Sequence, residues 1–321
     1  MACYDIPVVF KFLTSQQIRG ALAILGASLT IALFGTMVHV LRGMFGMITQ
    51  VTLRALIATL IMAGIFLALR RRPHKLQRGD WVKTVIVGFC GSLTLGLFAV
   101  VAIHDKAASA TFLVFAGAIL TSLVGGMVFL GEKATPLKLL AVFLVIVGLL
   151  LYAHGFTYKG IVTFAGLLGG VSDGVANILR KKMRHLDRST VVTYQYVVGA
   201  LAAGLYVLAS HEQPVIAVHW LPILVMVLFA VLALILGVLL LYGYARVDMQ
   251  TGAVLSAMQV FFAILLGMIF LHQMPTLNEI VGCFLISLAS CLAVLDVRKL
   301  LSGWRRKTAN PLEVTADMEI K

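Results

Sequence analysis

Apolar runs of roughly 20 residues follow one another along almost the whole chain, with short polar breaks between them. A helix of about this length spans the ~30 Å hydrocarbon layer of a bilayer. Only 12% of the 321 residues are charged, against about 25% in a typical soluble domain. The sequence therefore predicts an all-α integral membrane protein with ten transmembrane helices, near residues 21–41, 51–69, 82–103, 108–130, 137–153, 160–179, 190–209, 220–242, 250–271 and 277–295.

Several polar breaks also carry residues that are typical of helix starts. Thr135 precedes Pro136, a residue favoured at the first helical position, and Thr276 with Glu279 forms a capping-box pattern. Asp80 and the pair Ser189-Thr190 supply further side-chain oxygens that can cap a helix. These signals support the division into helices independently of hydropathy.

Lysine and arginine are distributed unequally between the two sets of breaks. With the N-terminus inside, the inner breaks and termini hold 22 of the 26 basic residues and the outer breaks hold 4. Basic residues accumulate on the cytoplasmic side of membrane proteins. We expect both termini to be cytoplasmic, in a multi-pass protein of the cell inner membrane, and residues 302–321 to form a flexible cytoplasmic tail.

A shift of 141 residues aligns the two halves of the chain. It places Val51-Thr52-Leu53-Arg54 on Val192-Thr193-Tyr194-Gln195, and Gly126 to Leu130 on Gly267 to Leu271. Because each half has five helices, an odd number, the second half enters the membrane from the opposite side. The sequence thus predicts inverted repeats, which are the basis of alternating access in many transporters.

In these features the chain resembles the drug/metabolite transporter superfamily, specifically its ten-helix EamA-type members. The resemblance rests on the segments Thr52 to Ala58, Arg70 to Arg72, Ala108 to Ala110 and Phe129 to Thr135. It implies two EamA-like five-helix repeats, at 20–153 and 160–296, and secondary transport of a small metabolite, usually export. The chain departs from the family pattern at Ile119 and Val260, where a proline is common, and at Gln273, the counterpart of Glu132.

Asp173 is the strongest candidate for a functional residue. An ionisable group within a span costs on the order of 2.5 to 3.5 kcal/mol and marks a functional site by default. Asn177 follows four residues later and shares a helix face with Asp173. The pair is predicted to bind a substrate ammonium or a proton; the alternative is a structural hydrogen bond to a neighbouring helix.

Four further residues are candidates for binding the substrate or a coupling ion. His39 can titrate near neutral pH and mirrors Asn177 when Leu41-Arg42 is laid on Leu179-Arg180, although a histidine near an interface is often merely hydrated. Arg54 and its repeat mate Gln195 are interpreted either as contacts to an anionic group or as partners of a loop carbonyl. Gln259 is a polar group within a span, with interhelical bonding as its alternative role.

Other functional classes have weaker support in the sequence. Gly170, Ser172 and Gly174 match GxSxG, but an apolar helix lacks the strand-turn-helix setting of a serine nucleophile. A lipid or lipid-linked substrate flippase is an alternative because the interior is so apolar. No phosphate loop or metal-ligand pattern occurs, so we expect no enzyme activity, cofactor, metal or nucleic-acid partner.

The expected partners are the lipid bilayer and a small-molecule substrate. The scarcity of charge in the spans slightly favours a neutral, zwitterionic or amphipathic solute. Monomer and homodimer both remain open.

Overall fold

A computed structural model describes residues 15–41, 44–70, 73–104, 107–153, 160–210, 220–272 and 274–294. The expected tail at 302–321 lies outside these residues. The described chain is helical throughout, as predicted. Its helices are α1 (Ser15–Leu41), α2 (Met47–Ala68), α3 (Arg78–His104), α4 (Ala107–Leu130), α5 (Pro136–Tyr152), α6 (Ile161–Lys182), α7 (Arg188–Ser210), α8 (Trp220–Tyr244), α9 (Met249–Ser256), α10 (Gln259–Leu271) and α11 (Leu277–Val294).

The helices correspond one for one to the predicted spans, except that the ninth span is divided into α9 and α10. Within the described residues, eight spans are long and apolar enough to cross a membrane, and α5 is a shorter apolar helix. Several helices extend a few residues beyond the predicted runs, because their first and last turns contain polar residues that hydropathy assigns to the breaks. The chain is therefore a multi-pass membrane protein.

The capping predictions are confirmed at two helices and corrected at two others. Thr135 accepts a hydrogen bond from the Lys138 amide, with Pro136 at the first position of α5, and Thr276 and Glu279 exchange the two bonds of a capping box. At α7 the cap is Asp187, whose Oδ2 accepts from the Thr190 amide at 2.9 Å. Asp80 lies inside the first turn of α3 rather than before it.

The helix bounds repeat with the shift predicted from the sequence. Adding 141 to the bounds of α2 gives 188–209, and α7 occupies Arg188–Ser210. Adding 141 to the bounds of α5 gives 277–293, and α11 occupies Leu277–Val294. Even the turn conformation repeats, because Gly131 (φ 65°) and His272 (φ 52°) are both left-handed. The chain is therefore built from two structurally equivalent repeats.

Close contacts between small residues hold the bundle together. The repeat-related helices α5 and α11 touch at Gly148 and Gly282, where a Cβ added to either glycine would lie within 2.7 Å of the other's carbonyl oxygen. Helix α6 packs on α4 in the same way, since a Cβ at Gly170 would lie 2.2 Å from the Val114 carbonyl oxygen. Gly166, Gly170 and Gly174, spaced four residues apart, form the face of α6 that packs closely on α4.

Candidate functional site

The candidate site lies on one face of α6. The exposed apolar side chains on the opposite face show which way the site is directed within the bundle. The large exposed apolar side chains of this helix include Phe164, Leu168 and Val171, so this face is directed outward to the lipid. Asp173 follows Phe164 by nine residues, which is about 180° around a helix of 3.6 residues per turn. The Asp173 side chain keeps 33% of its accessible surface, and this surface consequently faces the interior of the bundle.

Asp173 and Asn177 lie on one helix face, as their spacing predicts, and the structure also joins them directly. The Asn177 Nδ2 donates a hydrogen bond of 3.0 Å to Asp173 Oδ2. The amide oxygen of the same Asn177 accepts a bond from the Arg180 guanidinium. Arg180 Nη1 also lies 3.9 Å from Asp173 Oδ1. The three side chains thus form a continuous chain of carboxylate, amide and guanidinium along one helix face.

Arg180 is a functional candidate that the sequence reasoning missed, because it was counted among the basic residues of a polar break. The residue is only 9% exposed, so it belongs to the interior. Its spacing from Asp173, seven residues, places both on one face, and this was the available signal. Arg54 is one of the four basic residues counted in the outer breaks, and it is likewise buried, at 6% exposed. Removing Arg180 and Arg54 from the count of basic residues leaves the charge asymmetry between the two sides intact.

Two tyrosines extend this polar region onto other helices. The Tyr244 phenol of α8 lies near Asp173 and Arg180, and its hydroxyl lies 3.2 Å from Ser256 Oγ of α9. The Tyr196 phenol of α7 lies near Arg180 and Arg54 and donates a hydrogen bond to the Ala233 carbonyl oxygen. Tyr196 is therefore close to both the α6 site and Arg54.

Arg54 lies against two aromatic rings that also contact each other. Its guanidinium carbon lies 5.0 Å from the Phe34 ring centroid and 4.6 Å from that of Phe229. The two rings are themselves in edge contact, with centroids 4.7 Å apart. The loop-carbonyl alternative from the sequence has no support in the described contacts, where Arg54 Nε has no hydrogen-bond partner.

The remaining predicted residues are placed apart from this cluster. Gln195 is buried in α7, and its Nε2 has no partner within the described residues. Gln259 begins α10, directly after the break in the ninth span. No contact joins either amide to Asp173 among the described interactions. Gln250, which the sequence reasoning did not single out, is 1% exposed, and neither of its amide atoms has a described partner.

His39 lies in α1, but its side chain is outside the described part of the structure. The shift of 141 residues that relates the helix starts of the two repeats pairs His39 with Arg180 rather than with Asn177, which lies one turn earlier. The mirror relation inferred from Leu41-Arg42 is thus displaced by one helical turn.

The GxSxG pattern has a structural explanation. Ser172 Oγ donates a hydrogen bond of 3.1 Å to the Cys90 carbonyl oxygen of α3, and Gly170 and Gly174 are packing positions against α4. Ser172 therefore joins two helices, as hydroxyls in membrane helices commonly do.

A second polar cluster, which we call the latch, joins the two repeats at one end of the bundle. Glu132, in the turn between α4 and α5, lies 2.5 Å from Lys181 Nζ of α6 and accepts a 2.8 Å bond from the Met249 amide at the start of α9. Lys138 of α5 pairs with Asp248 at 2.5 Å. Both pairs connect a residue of the first repeat with one of the second, so the latch joins the two repeats at this end.

Sequence and structure comparisons agree with this architecture. The profile of the EamA-like transporter family matches residues 18–153 and again residues 160–295. A solved structure titled only "Crystal structure of protein" has the same fold, with a TM-score of 0.73 and 19% sequence identity over 89% of this chain and 98% of the other. No curated protein matches this chain.

Proposed function

The chain belongs to the EamA-like transporter family, and on this premise we propose that it exports a small metabolite across the cell inner membrane by alternating access, with Asp173 as the central binding residue. The observation that carries the proposal is the chain of Asp173, Asn177 and Arg180 facing the interior between two repeats. The family is one of transporters, not of enzymes.

The arrangement suits reversible binding of a solute or proton. Asn177 and Arg180 are almost fully buried, whereas the Asp173 side chain keeps a third of its surface. The buried partners hold the carboxylate in one orientation, and its accessible surface remains for a ligand. A carboxylate that can be charged or neutral provides a natural point for coupling solute movement to a proton.

The latch supports the alternating-access part of the proposal. Its contacts join the first repeat to the second at the end where α4, α6 and α8 finish. In the orientation that the basic residues favour, this is the cytoplasmic end. Opening toward the cytoplasm then requires separation of Glu132 from Lys181 and of Lys138 from Asp248.

The first test is an untargeted comparison of metabolites in the medium and cytosol of cells that lack or overproduce the protein, with membrane insertion verified. A compound that moves outward with expression and returns inward on deletion supports export and identifies the solute. If no compound shifts reciprocally, export of a metabolite is contradicted.

The role of Asp173 is tested by the Asp173→Asn variant. We expect it to insert and fold normally, because asparagine preserves the shape and one acceptor oxygen, and to change the pH dependence of solute flux. Asp187→Asn, which alters a carboxylate outside the bundle interior, serves as the matched control. Flux of Asp173→Asn that equals wild type at every pH would reject the assignment.

A further inference from the structure

We propose, on the basis of the transport function above, that the solute is an organic anion whose carboxylate binds Arg54. Arg54 is 6% exposed and lies within a span. The two rings that contact it, Phe34 and Phe229, belong to an apolar cluster with Leu41, Phe45, Met226 and Ala233. A guanidinium cannot lose its charge in a protein, so this region holds a permanent cation in apolar surroundings.

No carboxylate in the described part of the chain balances this cation. Each one is engaged elsewhere: Asp80 with Lys83 and His185, Glu132 with Lys181, Asp173 with Asn177 and Arg180, Asp187 with Ser189 and Thr190, Asp248 with Lys138, and Glu279 with Thr276. Of the two buried arginines among the described residues, Arg180 therefore has a counterion within that part of the chain, and Arg54 does not. The described interior carries one unbalanced positive charge.

The aromatic neighbours stabilise Arg54 without neutralising it. A cation–π contact is stronger when the cation is desolvated, but a neutral ring leaves the net charge of the site unchanged. The rings of Phe34 and Phe229 lie against the guanidinium group, and its N–H donors point outward in the guanidinium plane. The Nε donor has no described partner.

A carboxylate matches this arrangement in charge and in shape. It brings the single negative charge that the site lacks, and its two oxygens accept parallel bonds from the edge of a guanidinium. The apolar residues around Arg54 provide contacts for a hydrocarbon body on the same solute. The inference differs from the preference for a neutral or zwitterionic solute that the low charge of the spans suggests.

The test measures ligand binding by the full-length protein in lipid nanodiscs. The probes are lactate, hexanoate and phenylacetate, each beside its neutral amide, and the readout is the thermal unfolding midpoint, which rises when a ligand binds the folded state. We expect at least one acid to raise the midpoint while its amide does not. Equal effects of acid and amide, or no effect of any acid, would overturn the inference.

Variants assign the binding to Arg54. Arg54→Gln is expected to abolish the shift, Arg54→Lys to retain part of it, and Arg19→Gln, which removes an exposed arginine of α1, to retain it fully. A shift that persists in Arg54→Gln contradicts the proposed contact. If Arg54→Gln does not fold, two measurements still test the proposed contact. They are the shift in Arg54→Lys and the comparison of each acid with its amide in the wild type.

Phenyl phosphate distinguishes the kind of anion. If phenyl phosphate stabilises the protein and none of the carboxylic acids does, the ligand of Arg54 is a phosphate. That result would overturn the inference that the ligand is a carboxylate. The binding result is independent of transport. An exported solute without negative charge contradicts this inference and leaves the transport function standing, whereas the absence of any exported solute contradicts export and leaves the binding result unchanged.

Discussion

Arg54 and Gln195 occupy the same position in the two repeats, but their surroundings differ. Arg54 is held by Phe34 and Phe229. The residues that correspond to these two rings in the other repeat, by the shift of 141, are Val175 and Gly88. A Cβ at Gly88 would lie 2.8 Å from the Gln195 carbonyl oxygen, so α3 and α7 are in direct contact at this position. At the corresponding position of α8 and α2, the Phe229 ring lies against the Arg54 cation instead.

The comparison shows that the duplicated backbone is preserved while its chemistry has diverged. One repeat-related contact has become tight helix packing and the other a charged aromatic site. The turns differ in the same way, since Glu132 forms the latch and the corresponding residue of the second repeat is Gln273. Two inverted repeats with identical chemistry would present similar surfaces to both sides of the membrane, and these differences make the two sides unequal.

The largest effect is expected when Glu132 in the turn of the first repeat is replaced by glutamine, the residue type at the corresponding position, Gln273, of the second repeat. Glu132→Gln removes the charge that pairs with Lys181, and loss of one partner of a mostly buried ion pair costs about 3 kcal/mol. We therefore expect a clearly lower unfolding midpoint for Glu132→Gln in detergent. Glu279→Gln, at an exposed helix cap, is the control and should change little. Equal midpoints for the two variants would show that the latch does not stabilise this conformation.

The next effect tests the packed side of the comparison. In Gly88→Ala the new methyl group meets backbone, which cannot move as a flexible side chain can, and overpacking of this kind typically costs about 1–3 kcal/mol. Gly91→Ala on the same helix is the matched control, because a Cβ there meets no atom within 4 Å. Thermal unfolding should separate the two variants. A Gly88→Ala midpoint no lower than that of Gly91→Ala would mean that the two helices do not touch at this point.

A smaller effect is expected on the charged side. Phe229→Leu keeps an apolar side chain but removes one of the two rings that position Arg54, at a cost of about 1 kcal/mol. This should weaken binding of the stabilising acid roughly fivefold, as measured by titrating the unfolding midpoint. Phe89→Leu, at an exposed apolar position of α3, should leave the affinity unchanged. If both variants bind alike, Phe229 does not position the cation.

Helix number, helix order and repeat register could be predicted from the sequence because the bilayer imposes length and hydropathy on each span. The shared helix face of Asp173 and Asn177 also followed from a spacing of four residues, whereas the bond between them was found only in the structure. The surroundings of Arg54 could not be predicted, since Phe34, Arg54 and Phe229 come from three helices whose mutual rotation depends on packing. Arg180 was missed for another reason: hydropathy assigns every basic residue at a helix end to the loop, although a partner one or two turns earlier can draw it inward.

The smallest effect concerns the starts of α2 and α7, which are also repeat-related. Gly46 at the start of α2 makes no side-chain cap bond, whereas Asp187 at the start of α7 accepts bonds from Ser189 and Thr190. Burial alone would raise the pKa of Asp187, but these hydrogen bonds outweigh it and hold the pKa below its usual value. Asp187→Gly, which makes the second start resemble the first, should cost a few tenths of a kcal/mol.

The pH dependence of stability tests whether the negative charge of Asp187 causes the stabilising effect at the start of α7. Because the pKa of Asp187 is lower in the folded protein, its stabilising effect is complete above the unfolded pKa of about 3.9 and is lost as pH falls through the folded value. The difference in unfolding midpoint between wild type and Asp187→Gly should therefore be present at pH 7 and shrink on acidification below pH ~4. Asp187→Asn retains a capping oxygen without the charge, so its midpoint should be less sensitive to acid than that of wild type. A wild-type advantage that persists unchanged in acid would assign the effect to the glycine backbone rather than to the carboxylate.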